Sequence, residues 1–195
     1  MEPITLTTER LLLRPFAPED TDAVYEACQD PAIQRWTVVP SPYARDDADT
    51  FTRRLVPDGW RDDTMYNFAV VPHDGGALAG AVGVHRRPDP GTFEVGYWTT
   101  REHRRRGYTT EAVLAVARWA FTALGCDRLE WRAEAGNEAS RAVALGAGFR
   151  MEGDQRSALV NKGVRRDGWL GSLLPSDLGL PSAVAYVPDG ATAPR

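Results

Sequence analysis

Between residues 93 and 124 the hydrophobic period of the chain changes once, and the junction carries a cluster of arginines and a glycine. Phe93 to Thr99 reads as a strand. From Tyr108 onward Val113, Val116, Ala117, Ala120, Phe121 and Leu124 fall at helical spacing, and Gly125 supplies a C-terminal stop. Arg104-Arg105-Arg106-Gly107 stands between the two. Strand, loop and helix start in that order make an anion site. The first amides of a helix have no internal partners, and the helix dipole places partial positive charge there. Gly107 lets the backbone fold closely around a phosphate, and successive N–H groups form a concave nest. An arginine-rich stretch alone reads as a solvated basic loop; its place between strand and helix favours the phosphate.

The flanking sequence sets this junction in a mixed α/β chain. Arg10 to Phe16 reads as a first strand, with Leu11, Leu12 and Leu13 as a buried run. Pro18-Glu19-Asp20 opens a helix that Asp30-Pro31 stops, and a second helix covers Arg45 to Leu55 with Ala48, Phe51, Thr52 and Leu55 on one face. Strands over Tyr66–Val71 and Leu78–His85 flank His73-Asp74-Gly75-Gly76. Arg128 to Glu134 alternates cleanly, Gly136-Asn137 opens a shorter helix to about Ala147, and two strands surround Asn161-Lys162-Gly163. There are too few βα alternations for a long parallel sheet. The expected fold is α/β of the α+β type, one domain over residues 1–177 with a surface tail over 178–195.

Composition narrows the function. The chain has 195 residues, 43% apolar and 26% charged, enough for one hydrophobic core. A net charge of −4 gives no reason to expect nucleic acid or an anionic membrane, and mildly favours a cationic substrate. Met1 to Thr8 carries no signal-peptide pattern, and no apolar stretch is long enough to span a bilayer. Cys28 and Cys126, like His73, His85 and His103, lack metal-ligand spacing, so a reduced, cytoplasmic, metal-free protein is expected.

Arg104-x-x-Gly107-x-Thr109 resembles the acyl-CoA pyrophosphate loop of the GNAT acetyltransferases. Glu94-Val95-Gly96-Tyr97-Trp98-Thr99 before it, Thr8 to Pro15, Asn137-x-x-Ser140, Gly148-Phe149 and Arg166-Asp167-Gly168-Trp169 extend the likeness toward the branch containing the RimJ and RimL ribosomal-protein acetyltransferases. The resemblance spans roughly Thr5 to Asp177. It departs at Thr109, where glycine or alanine is usual; the hydroxyl could bond a phosphate.

The resemblance implies a mostly antiparallel sheet splayed between its fourth and fifth strands, with acetyl-CoA as cofactor. The main chain of Tyr97, Trp98 and Thr99 would hold the pantetheine arm, and Arg104, Arg105, Arg106, Gly107, Tyr108 and Thr109 the pyrophosphate. Asn137 would contact the arm, although capping its helix accounts for it equally well. Tyr97 and Trp98 side chains also suit an aromatic core. Ala144 stands where many relatives carry an acidic tyrosine, and the RimL-like branch gives that role to the serine matching Ser140. Glu94 is the candidate base, against His85, a water relay, or a plain ion-paired glutamate. The acceptor would be the α-amine of a protein N-terminus or a small-molecule amine, and homodimers are common among relatives. A non-catalytic acyl-CoA-binding module is the alternative. The acidic stretch from Asp46 to Asp63 could draw a cationic acceptor, but also reads as a solvated face.

Overall fold

In the computed structural model, which describes residues 1–188, Arg128–Glu134 is a strand with those limits, and Leu129, Trp131 and Ala133 are its buried residues. It is the sixth of eight strands: β1 (Leu6–Thr7), β2 (Leu11–Pro15), β3 (Met65–Pro72), β4 (Gly80–Arg86), β5 (Thr92–Thr99), β6 (Arg128–Glu134), β7 (Arg150–Asn161) and β8 (Val164–Leu173). They form one sheet in the order β1-β2-β3-β4-β5-β6-β8-β7. Every pairing is antiparallel except β5 with β6. The helices are α1 (Thr21–Ala27), α2 (Pro31–Trp36), α3 (Arg45–Thr50), α4 (Val56–Arg61), α5 (Tyr108–Ala123) and α6 (Glu138–Gly146). This is the expected α+β class. The two-residue β1 carries too little pattern to be read from sequence.

Register sorts the strand residues onto two faces. Tyr66, Phe68, Val82, Val84, Phe93, Val95 and Tyr97 share one, since Tyr66 pairs with Val84 and Val84 with Val95, and Phe68 pairs with Val82 and Val82 with Tyr97. Trp60 of α4 and Trp119 of α5 pack on that face. Trp60 lies 5.0 Å from Tyr66, 5.2 Å from Phe68 and 5.8 Å from Trp119 between ring centroids. The other face carries Asn67, Gly83, His85, Glu94, Gly96 and Trp98.

Two helical expectations are corrected. Asp30-Pro31 does end α1, yet it also begins α2. Asp30 is pushed to an extended conformation (φ −61°, ψ 120°), which suits an N-cap, and its Oδ1 accepts the Ala32 amide at 2.7 Å. The second helix does not stop at Leu55 but runs on to Arg61 through a π-helical turn over Phe51–Leu55, where the Val56 amide reaches the Phe51 carbonyl. Pro57, which has no N–H and crowds the preceding turn, sits just beyond it. The wide turn carries the buried stripe along Ala48, Thr52, Val56 and Trp60, so Leu55 faces solvent. Cys28 and Cys126 are buried free thiols whose pKa values burial pushes up to about 12. No helix among the described residues is long and apolar enough to cross a membrane. Of the segment after residue 177, Leu178 and Leu180 pack against the core and residues 181–188 are exposed; 189–195 lie outside the described residues.

Trp60→Ala removes the ring at the centre of this aromatic cluster. We expect a loss of about 3–5 kcal/mol of unfolding free energy, read by urea denaturation.

Candidate active site

The loop into α5 has the backbone its sequence implies. Arg104 is extended (φ −64°, ψ 153°), Arg105 is left-handed (φ 63°), and Gly107 is left-handed again (φ 77°, ψ 0°) as the N-cap of α5. Among the described residues, the amides of 105–110 have no intramolecular acceptor; the first that does is that of Glu111, which donates to the Gly107 carbonyl at 3.1 Å. Six successive amides are therefore available at the positive end of a 16-residue helix. Arg105 and Arg106 are exposed beside them.

Residues from the first strands hold this loop in place. Glu111 accepts from the Thr8 hydroxyl at 2.6 Å, the Arg10 amide at 3.1 Å and Arg10 Nε at 2.7 Å. Arg10 also donates to the Arg106 carbonyl at 3.0 Å and lies 4.9 Å above the Tyr108 ring. Thr8 and Arg10 thus have a stated task, where the sequence offered only resemblance. Burial works to raise the Glu111 pKa, but the bonds from Thr8 and Arg10 outweigh it and hold the carboxyl below its ordinary value. The Thr109 hydroxyl meets the Thr99 hydroxyl at 2.5 Å, fastening the loop to the end of β5. Arg104 turns its side chain away from Arg105 and Arg106: Nη2 donates to Asp30 Oδ2 at 2.7 Å and Nε to the Thr99 carbonyl at 3.3 Å.

β5 and β6 pair only from Thr92–Arg128 to Val95–Trp131, while β5 continues alongside β4 to Thr99 opposite Gly80. Past Val95 the parallel strands separate, leaving the β6-facing edge of Gly96–Thr99 without a strand. These are the fourth and fifth strands of the sequence reading, shifted by one because β1 precedes them. On the helical face, Trp131 Nε1 donates to Ser140 Oγ at 3.0 Å and Ser140 Oγ to the Tyr97 hydroxyl at 3.1 Å. Tyr97 in turn donates to the Ser140 carbonyl at 2.8 Å. Burial chiefly, against the Ser140 hydrogen bond, pushes the Tyr97 pKa up to about 12, so the phenol stays protonated at neutral pH. Asn137 caps α6, its Oδ1 accepting the Ser140 amide at 3.2 Å.

On the opposite face Glu94 and His85 pair across β5 and β4. Glu94 Oε2 lies 3.9 Å from His85 Nε2 and 3.5 Å from Arg87 Nη1. Burial lowers the His85 pKa, with Glu94 opposing and Arg87 assisting, which favours a neutral imidazole. The two candidate bases are therefore neighbours. Beside them Gly96 is exposed, with nothing within 4 Å of where a Cβ would stand. In the next strands Asn67 lies over Gly83, and its Nδ2 is buried without a partner. Most of the acidic stretch is occupied structurally, with Asp46 exposed: Asp47 caps α3, Asp49 pairs with Arg53, Asp58 and Asp62 with Arg61, and Asp63 with the N-terminal ammonium.

α2 closes this side, and the sequence reading missed it. At its start Asp30 holds Arg104; at its end Arg35 forks onto Glu134 of β6 with contacts of 2.8 and 2.5 Å. Lys162, in the β7–β8 turn, donates to the Gln34 and Thr37 carbonyls at 2.5 and 3.1 Å. α2 thus links the loop that follows β5 to the end of β6. Asp30-Pro31 carries a helix-start pattern that the sequence reading took only as a stop; the bond from Arg104 to Asp30 crosses 74 residues and leaves no local signal.

A gap between parallel strands that leads to a nest of free amides at a helix start is the layout of an acyl-CoA-binding fold. Residues 10–150 match the family model described as an acetyltransferase (GNAT) domain, and the chain belongs to that family, whose cofactor is acetyl-CoA. It is similar to the uncharacterized N-acetyltransferase p20 of Bacillus licheniformis, 27% identical over 171 residues, covering 87% of this chain and 96% of p20. Among solved structures it is similar to a GCN5-related N-acetyltransferase from Brucella melitensis, with TM-score 0.75, 27% identity, and coverage of 91% of this chain and 81% of that one. Mycobacterium smegmatis RimJ in complex with CoA-disulfide superposes with TM-score 0.80 at 22% identity, covering 92% of each chain; at that identity the likeness speaks to the fold alone. The protein is an acetyl-CoA-dependent acyltransferase.

Gly107→Glu places a carboxylate at the nest and forces a side chain onto a left-handed residue; we expect calorimetry to show acetyl-CoA binding lost. Because Glu111 titrates below its ordinary 4.5 when folded, its ion pair stabilises the fold above about pH 4.5 and ceases to do so as pH falls through the lower folded value. The stability difference between wild type and Glu111→Gln should therefore be full at neutral pH and vanish in acid, as followed by denaturant titration across pH.

Proposed function

We propose that the protein transfers the acetyl group of acetyl-CoA to a primary amine, of a protein N-terminus or a small molecule, by direct attack within a ternary complex. The observation that carries this reading is the early end of the β5–β6 pairing, which opens a gap flanked by Ser140 and Tyr97 and continuous in sequence with the amide nest at Gly107.

In this reading the nest, with Gly107, Tyr108 and Thr109 and the Arg105 and Arg106 side chains, holds the pyrophosphate. Arg104 acts by fixing the loop. The strandless main chain of Tyr97, Trp98 and Thr99 takes the pantetheine arm and polarises the thioester carbonyl. Asn137 orients the start of α6, and its remaining capacity is directed to the arm. The amine arrives from the face that carries Glu94 and His85. As its nitrogen attacks the carbonyl carbon, its proton passes to the His85–Glu94 pair, directly or through water. The C–S bond breaks, and Ser140 protonates the departing thiolate. Tyr97, protonated at neutral pH, accepts from Ser140 Oγ and donates to the Ser140 carbonyl, and so positions the hydroxyl; the proton that Ser140 gives up is made good from solvent, to which the His85–Glu94 pair releases the amine's proton.

Release of CoA thiol in the presence of a panel of peptides, polyamines and aminoglycosides tests the activity; no release with any amine would overturn it. Ser140→Ala should keep acetyl-CoA affinity and lower kcat by about 10²-fold or more, the range of general acid catalysis. Unchanged turnover would remove Ser140 from the mechanism.

A further inference from the structure

Between α2 and the β7–β8 turn lies a recess of about 300 Å³ whose lining includes Gln34, Arg35, Ser41, Asn161, Lys162 and Arg166. Its charges are unbalanced. Arg35 forks onto Glu134, whose side chain is only 10% exposed. Arg166 Nε stands 3.8 Å from the same carboxylate, beyond hydrogen-bonding distance. Lys162 is held by the carbonyls that end α2, so its contacts there are to neutral groups. Arg35 and Arg166 thus share one carboxylate and Lys162 contacts none among the described residues, inside a chain whose net charge is −4.

The recess lies next to the gap. Glu134 is the last residue of β6, the far wall of the gap, and Asn137 follows three positions later. At the other end of α2, Asp30 holds the cofactor loop through Arg104. The six residues of α2 rise about 9 Å, the span of roughly three residues of extended peptide.

We propose that this recess receives an anionic group of the acceptor, a carboxylate carried two or three residues from the amine, so that acidic peptide N-termini are preferred over basic ones. The proposal rests on the acetyl-transfer reading and deepens it by naming the acceptor class. It runs against the net charge, which mildly favours a cation. The acidic residues from Asp47 to Asp63 are engaged in caps and ion pairs on α3, within α4 and just after it, whereas the cations of the recess sit beside the end of β6.

The test uses fluorescent peptides opening Ser-Asp-Asp, Ser-Ala-Ala and Ser-Lys-Lys. Binding is read by anisotropy on the CoA-loaded protein at low and high salt, and acetyl transfer is measured in parallel. Arg166→Glu is the probe variant, because Arg166 is exposed and makes no close bond that holds α2; Arg166→Gln removes the charge without adding repulsion. Wild type should bind the acidic peptide about tenfold or more tightly than the basic one, with the preference falling as salt rises. Arg166→Gln should shrink the preference and Arg166→Glu abolish or invert it, with acetyl-CoA affinity unchanged. Equal binding of the three peptides, or a preference untouched in Arg166→Glu, would overturn the recess; transfer to any amine would leave the enzymatic reading standing. Acid-selective binding without transfer to any amine would support the recess and overturn the enzymatic reading.

Discussion

The separation of β5 from β6 after Val95 and Trp131 is the constraint from which the rest of the site follows. Backbone N–H and C=O groups must find partners somewhere, and a strand edge opened inside a sheet is an invitation to a ligand with amides of its own. Pantetheine is such a ligand. The opening also places Ser140 and Tyr97 on one side of the gap, with His85 and Glu94 across the sheet. β4 pairs with β5 from Phe93 to Thr99 without a shift in register; Gly80 permits the close approach, since a Cβ there would stand 2.3 Å from the Trp98 carbonyl oxygen.

A gap of this kind needs bracing from outside the ladder, and α2 provides it through its two ends. Surface ion pairs are worth little by themselves. The Arg35–Glu134 pair differs because it is forked and its carboxylate is nearly buried, so losing Arg35 would leave a charge with little solvent. Arg35 is moreover the chief cause holding the Glu134 carboxyl below its ordinary pKa. The same helix thereby couples the loop before α5, through Asp30 and Arg104, to the end of β6. Arg10 and Glu111 brace the loop from the opposite side.

Much of the fold was legible locally. The alternation of Leu129, Trp131 and Ala133 sets β6, and the period of Val113 to Phe121 with Gly125 sets α5. The failures have physical causes. Periodicity assumes a regular helix, and the π turn at Phe51–Leu55 moved the buried stripe off Leu55 onto Val56 and Trp60. Pro31 ends one helix and begins another, and its six-residue successor is too short for its period to be seen. In the site, the loop and Ser140 were legible from spacing and resemblance. The commitment of Arg104 to Asp30 was not, nor was the closeness of His85 to Glu94.

The sequence by itself determined which segments are strands and helices and where an anion nest forms, because both depend on residues a few positions apart: side-chain period, caps, and a glycine able to adopt positive φ. Only the tertiary structure decided which arginine turns inward, which polar groups meet at Ser140, and where positive charge gathers in an acidic chain. Those outcomes depend on contacts across dozens of residues, where burial and pairing, and not local preference, set the conformation and charge of each group.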